Sequence, residues 1–340
     1  LVVVGAGTAG CMLASRLVRE QGLRIALVEP VTTEAARIDR LRPSRWIHLL
    51  GSSEDWSFKT AGNPALAARQ LTWPRGRGLG GSSRINAMIW FPPTPADLHR
   101  LARASGGRWS DGALRTAYES IAAVVRPEAP VWLSETSRLF LAAAQRIEGG
   151  EPMLYQRVNR NGRRWLPSEG WPTDTERLLI VRGTVDRVVW TGDTASGVRV
   201  LGEHGAFALR AERGVVLAAG TIATPAILMR SGLGDREELS RIGVDLRQYA
   251  PSLGDHLQDH LIMPVIFQTT RLSNGVEPLP SMRDLARWEV VGGGPVSSNL
   301  AECGGLFEHR SVQIHVTPTH YLTYPKQGDS SAMTIGVNIT

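Results

Sequence analysis

Gly5, Gly7 and Gly10 stand at the spacing that lets a backbone turn tightly, approach a pyrophosphate with no side chain in the way, and pack a helix closely on a strand. The run Leu1-Val2-Val3-Val4 before them is apolar and β-branched, and Cys11 to Glu20 after them carries apolar residues at helical spacing. That order of strand, glycine turn and helix opens a dinucleotide-binding βαβ unit. The helix start offers unpaired N–H groups and a partial positive charge to the phosphates. A second strand, Arg24 to Val28, ends at Glu29, about 20 residues on, where a carboxylate accepts hydrogen bonds from a ribose. Glycines at this spacing also occur in turns that bind nothing. The flanking strand, the helix and the acid together make the nucleotide reading.

A second glycine-rich segment, Pro74-Arg75-Gly76-Arg77-Gly78-Leu79-Gly80-Gly81-Ser82-Ser83, runs into Arg84-Ile85-Asn86-Ala87-Met88-Ile89-Trp90. Its glycines allow close backbone approach, and its Ser hydroxyls and Asn amide supply directional donors and acceptors.

The elements that must position these residues fit an ordinary globular chain. With 340 residues, two domains or one large one with insertions are expected. A hydrophobic content of 42% with 21% charged residues excludes a disordered or collagen-like chain. The most apolar stretch, Gly214 to Met229, is broken by Gly220, Thr221, Thr224 and Pro225, so no membrane span is expected. The net charge is +6, yet Lys occurs only at Lys59 and Lys326, and the Arg residues are scattered rather than gathered with aromatics. No nucleic-acid partner is expected. Two cysteines, Cys11 and Cys303, make neither a disulfide framework nor a metal cluster, which suits a reducing, cytoplasmic setting. No metal site is expected, since no His, Cys or carboxylate group has ligand spacing.

After Glu29, residues 37 to 75 read as loops and short helices. Helices are expected at Asp97 to Ala104, Ser110 to Val125 and Ser134 to Ile147, with a connection from Gly149 to Pro172. A strand series follows at 178–181, 185–190, 197–201, 206–210 and 214–218, read as an antiparallel meander returning to the main sheet. Gly220 to Leu233 reads as turn plus helix, and Asp235 to Ile242 as a short helix. Strands are expected at Leu261 to Gln268, Ser297 to Phe307 and Val312 to Thr317. Both ends fall within strand-like runs, so both look like cuts through a longer polypeptide.

These residues resemble the glucose-methanol-choline (GMC) flavin oxidoreductases. The likeness rests on Gly5 to Gly10, on Pro74 to Trp90, on Ala218-Ala219-Gly220-Thr221-Ile222-Ala223-Thr224-Pro225 leading to Leu228 to Gly234, and on Leu253-Gly254-Asp255-His256-Leu257-Gln258-Asp259-His260. The resemblance implies a mixed α/β fold: a Rossmann-like FAD-binding domain at 1–95 and 175–255, and an incomplete sheet-and-helix substrate domain at 96–174 and 256–340. FAD is the implied cofactor, and two glycine-rich grips suit a flavin held at its adenosine, pyrophosphate and ring system.

Carried over by residue, the resemblance places Gly5, Gly7, Thr8, Ala9 and Gly10 at the pyrophosphate and Glu29 at the adenosine ribose. Arg77, Gly80, Gly81, Ser82, Asn86 and Ala87 line pyrophosphate, ribityl chain and ring. The Val185 backbone meets adenine, and Ala219 with Gly220 closes that end. The chain departs from the family at Pro30-Val31, at Phe91-Pro92-Pro93 and at His256.

Family members generally oxidise an alcohol, a base taking the hydroxyl proton while hydride leaves the carbon for flavin N5. The resemblance places the catalytic His and its partner beyond Thr340, so no catalytic residue is expected here. His315, on a strand, and His320 are candidates for the substrate side, with structural roles as the alternative. The expected partner is a small-molecule alcohol. The electron acceptor is left open, and a second chain completing the fold is an alternative to a longer polypeptide. By resemblance the same fold also hosts non-redox lyases and a light-driven decarboxylase. A non-catalytic flavin-binding fragment or subunit is the other alternative.

Overall fold

The computed structural model describes residues 1–30, 40–170, 176–268, 276–324 and 331–339. The chain divides into two units, one of Leu1–Ala35, Leu50–Ile85 and Leu166–Asp259, the other of Ala36–Leu49, Asn86–Trp165 and His260–Thr340.

The first unit is built on strand β1 (Val2–Val4), helix α1 (Thr8–Gln21) and strand β2 (Ile25–Glu29). These strands lie in a four-stranded parallel sheet, ordered Leu178–Arg182, β2, β1, Val215–Leu217. Strand side chains alternate between faces, so β1 feeds two cores. Val3 packs with Cys11, Ala14 and Val18 of α1 and with Ile25 and Leu27. Val2 and Val4 pack on the other face with Val185, Val188, Val198, Val200 and Ile227. That second face is covered by a three-stranded antiparallel meander, Thr184–Thr191, Thr194–Gly202 and Gly205–Arg210, and by helix Gly220–Arg230.

Leu178–Arg182 is the exception to the expected meander. It pairs in parallel with β2, and only the strands from Thr184 onward form the meander before the chain returns beside β1.

The second unit carries a five-stranded antiparallel sheet, ordered Ile262–Gln268, Ala332–Ile339, Val312–Thr317, Cys303–Phe307, Glu151–Leu154. Both edge strands contain a proline, Pro264 and Pro152, and a residue without an N–H is tolerated at an edge. Helices Pro95–Ala104, Asp111–Val125 and Glu135–Ala144 start behind Thr94, Ser110 and Ser134, whose hydroxyls accept from first-turn amides.

Three element expectations are corrected here, and the bounds of the two units differ from those expected. The strand expected from Ser297 begins at Cys303, because Ser297 to Glu302 form a buried polar knot: Glu302 accepts from Ser134, Ser137 and Ser298 hydroxyls at 2.7, 2.6 and 2.5 Å. Glu151–Leu154 is a strand inside the expected connection, and Met282–Val291 is an additional helix, anchored by buried Trp288. Ala36–Leu49 belongs to the second unit rather than the first: Trp46 and Ile47 pack against Val276, Leu300 and Tyr324, and Trp46 Nε1 donates to Asn299 O at 2.8 Å. The seams fall after Ile85 and before Leu166 rather than at residues 95 and 175; Ser15 of α1 donates to Gly170 O at 3.1 Å, tying that segment to the first unit.

Candidate functional site

At the end of β1 the chain turns through Gly5, whose φ of +94° suits glycine alone. Gly7 caps α1 in an extended conformation with no side-chain cap, so the first amides of the helix keep their hydrogen-bonding capacity for a ligand. A Cβ on Gly10 would lie 1.9 Å from Gly5 O, which explains the small residue at that helix position. A Cβ on Gly7 would meet no heavy atom within 4 Å. Gly7 therefore faces open space.

That space is a cavity of about 430 Å³ within the first unit, in the size range of small-molecule sites. It is lined by Gly5, Gly7, Thr8, Ala9 and Glu29, by Gly81 and Ser82 of the second glycine segment, and by Val185, Ala219 and Gly220. Its charged lining consists of Arg75, Arg230 and Glu29, with Arg230 Nε 3.5 Å from Asp186 Oδ1, which leaves Arg75 as the cation facing a guest.

The second glycine segment is held against the first by backbone. Gly80 N donates to Ala6 O at 2.8 Å, and Gly7 and Gly80 form an isolated parallel bridge; within the second segment Gly76 N donates to Ser82 Oγ at 3.1 Å. Behind it lies a buried ion pair, Arg84 Nη2 to Glu54 Oε2 at 2.8 Å, with Arg84 Nη1 donating to Leu79 O at 3.1 Å. Glu29 lies between the two segments. Its Oε2 accepts from Ala6 N at 2.6 Å and its Oε1 from Gly78 N at 2.9 Å. Burial pushes its carboxyl up to about 7, against the lowering pull of those amides and of Arg84 and Arg77.

The other residues singled out from the sequence stand elsewhere. Gly10 and Gly80 do not line the cavity, Gly10 packing on Gly5 and Gly80 on Arg84, and the Arg77 guanidinium lies over the Trp56 ring at 4.8 Å. Asn86 and Ala87 belong to the second unit: Asn86 Oδ1 accepts from Met88 N at 3.1 Å and Arg164 Nη1 at 2.9 Å, and Ala87 O accepts from Asn299 Nδ2 at 2.7 Å.

Trp56, Phe58 and Arg75 line the cavity and were missed. Trp56 and Phe58 stack with centroids 5.9 Å apart at 15°, on a short hairpin pairing Phe58 with Trp73. Asp55 shapes it, accepting from Ser57 N at 2.9 Å and Arg75 N at 2.8 Å. The available signal was a pair of alternating aromatics just upstream of the second glycine segment.

In the second unit His315 lies on Val312–Thr317, opposite Gly304 and Gly336 on the neighbouring strands. Its ring meets Tyr155 edge-on, centroids 5.4 Å apart, and its Nδ1 has no hydrogen-bond partner among the described residues. Burial, with His260 adding to it, lowers its pKa to about 4, so the imidazole is neutral at pH 7. His320 Nδ1 is likewise without a partner among the described residues. His256 takes a left-handed φ of 59°. Among the described residues no helix is long and apolar enough to cross a membrane.

Residues 1–262 match the family described as GMC oxidoreductase. The chain is similar to a pyridoxine 4-oxidase of Microbacterium luteolum, 31% identical over 296 residues that cover 77% of this chain and 57% of that protein. It is 28% identical over 365 residues to an oxygen-dependent choline dehydrogenase of Ectopseudomonas mendocina (strain ymp), covering 93% of this chain and 64% of the relative. The chain thus spans less than two thirds of the length of these relatives. Among solved structures, a formate oxidase superposes with a TM-score of 0.84 at 20% identity, over 99% of this chain and 72% of that one, a likeness of fold.

Proposed function

Because the chain belongs to the GMC oxidoreductase family, a family of FAD enzymes, we propose that it forms the flavin-gripping part of an enzyme that oxidises the CH–OH group of a small-molecule alcohol. The observation that carries this is the cavity at the uncapped start of α1, walled opposite by Gly81 and Ser82. When bound there, FAD supplies a hydride acceptor at N5. The residues of this chain fit that group: Gly7, Thr8 and Ala9 offer backbone amides to a pyrophosphate, Arg75 is the cation facing its charge, and Glu29 is placed for a ribose. Val185, Ala219 and Gly220 form the adenine end, and Arg77, Gly80, Asn86 and Ala87 follow the family motif toward the ribityl chain and ring. In this reading the first unit holds FAD and the second holds the substrate. His315 and His320 face the substrate, each with a nitrogen that has no partner among the described residues.

The test is anaerobic mixing of the FAD-loaded protein with a panel of alcohols, among them pyridyl, quaternary-ammonium and simple primary alcohols. Bleaching of the flavin, with one aldehyde or ketone formed per flavin reduced, supports the reading. Substrate consumed with the flavin still oxidised would replace it with a lyase.

A further inference from the structure

Glu29 is doing more than a ribose ligand needs. Its carboxylate is buried, and each of its oxygens already accepts a backbone N–H, one from each glycine-rich segment. Ala6, in the first segment, is fully buried; its N–H goes to Glu29 and its carbonyl accepts from Gly80 N of the second. Glu29 is itself held at the end of β2, with Gly5 N donating to Val28 O at 2.8 Å and Gly183 N to Glu29 O at 2.9 Å. The carboxylate therefore joins two loops that no regular sheet joins.

We propose that Glu29 is a positioning residue that fastens the two flavin-gripping segments to each other before the cofactor enters. This rests on the reading of the cavity as the FAD site. A buried amide left without an acceptor carries the full desolvation penalty, so removing the carboxylate loosens both segments at once. A residue that served only the ribose would leave the empty protein unchanged. Carboxylate oxygens each hold more than one lone pair, so fastening the loops and meeting a ribose are compatible. Only the flavin-free protein separates them.

The experiment is hydrogen exchange, read by mass spectrometry on flavin-free protein, alongside FAD titration, for the unmodified chain, Glu29→Gln and Glu29→Ala. For Glu29→Ala the expected result is exchange about tenfold faster or more in peptides covering both Ala6 and Gly78, with the meander strands Thr194–Gly202 and Gly205–Arg210 unchanged, and FAD affinity lowered by a similar factor. Glu29→Gln, which keeps one acceptor oxygen, is expected to loosen one segment and spare the other. Unchanged exchange with weakened FAD binding overturns the proposal and leaves Glu29 a ribose ligand in an FAD site. Faster exchange with FAD affinity unchanged in every variant also overturns it, and in that case the reading of the cavity fails as well.

Discussion

A Cβ placed on Gly81 would lie 2.7 Å from the Cα of Gly7, so the two glycine-rich segments meet backbone to backbone. Gly81 also holds a φ of +52°. Gly81→Ala combines a collision with an unfavourable conformation, and a loss of about 1–3 kcal/mol of stability is expected, with weaker FAD binding. Denaturant unfolding of the flavin-free protein reads the first effect. A variant as stable as the unmodified chain would mean that the segments do not touch.

Gly7 and Gly10 separate packing from ligand approach. Gly7 has an extended backbone open to any residue, and its Cβ position is empty, so Gly7→Ala is expected to leave the unfolding free energy within about 0.5 kcal/mol. Gly10→Ala drives a methyl into Gly5 O and is expected to cost about 2 kcal/mol or more. Equal effects of the two substitutions would contradict the geometry.

The pair Glu54 and Arg84 is nearly free of solvent, with side chains 0% and 3% exposed. Removing one member leaves a buried charge uncompensated, so Glu54→Gln or Arg84→Met is expected to cost about 3–5 kcal/mol. Replacing both with apolar residues is expected to cost clearly less than the sum of the singles. A double-mutant cycle by chemical denaturation measures the difference, and strict additivity would rule out the coupling.

Two groups give stability opposite slopes with pH. Glu29 keeps its proton to about 7 in the folded protein and loses it near 4.5 when unfolded, so its contribution is full below 4.5 and is lost as pH rises to about 7. His315 charges only near 4 when folded but near 6.5 when unfolded, so its contribution is full above 6.5 and is lost as pH falls toward 4. Between about 4.5 and 6.5 the two oppose each other. Relative to the unmodified chain, Glu29→Gln is expected to make stability rise more steeply with pH, and His315→Gln to make it rise less. Unfolding midpoints across that range decide it; the same slope in both variants would mean that neither group is perturbed.

What the sequence disclosed is what local covalent geometry dictates. Gly5, Gly7 and Gly10 are required by a turn and by close contacts a few residues away, and the strand and helix around them follow from short-range periodicity. Val185, Ala219 and Gly220 were reached through family resemblance, since no local rule brings them to the same cavity as Gly7. Trp56 and Phe58 were passed over because they sit in an irregular stretch with no period. Ala36–Leu49 groups with the second unit through contacts of Trp46 and Ile47 with Val276, Leu300 and Tyr324, which no local rule discloses. The polar run Ser297 to Glu302 looked like strand because the partners that bury it, Ser134 and Ser137, are distant in sequence.

The central claim is that the cavity at the start of α1 holds FAD. The most direct measurement is the titration of flavin-free protein with FAD, by quenching of flavin fluorescence, for the unmodified chain and for Gly7→Ala. One FAD bound per chain is expected, with affinity at least about tenfold weaker in Gly7→Ala, a difference of about 1.4 kcal/mol or more, at unchanged stability. Equal affinity in the two proteins, or no binding by the unmodified chain, would contradict the claim.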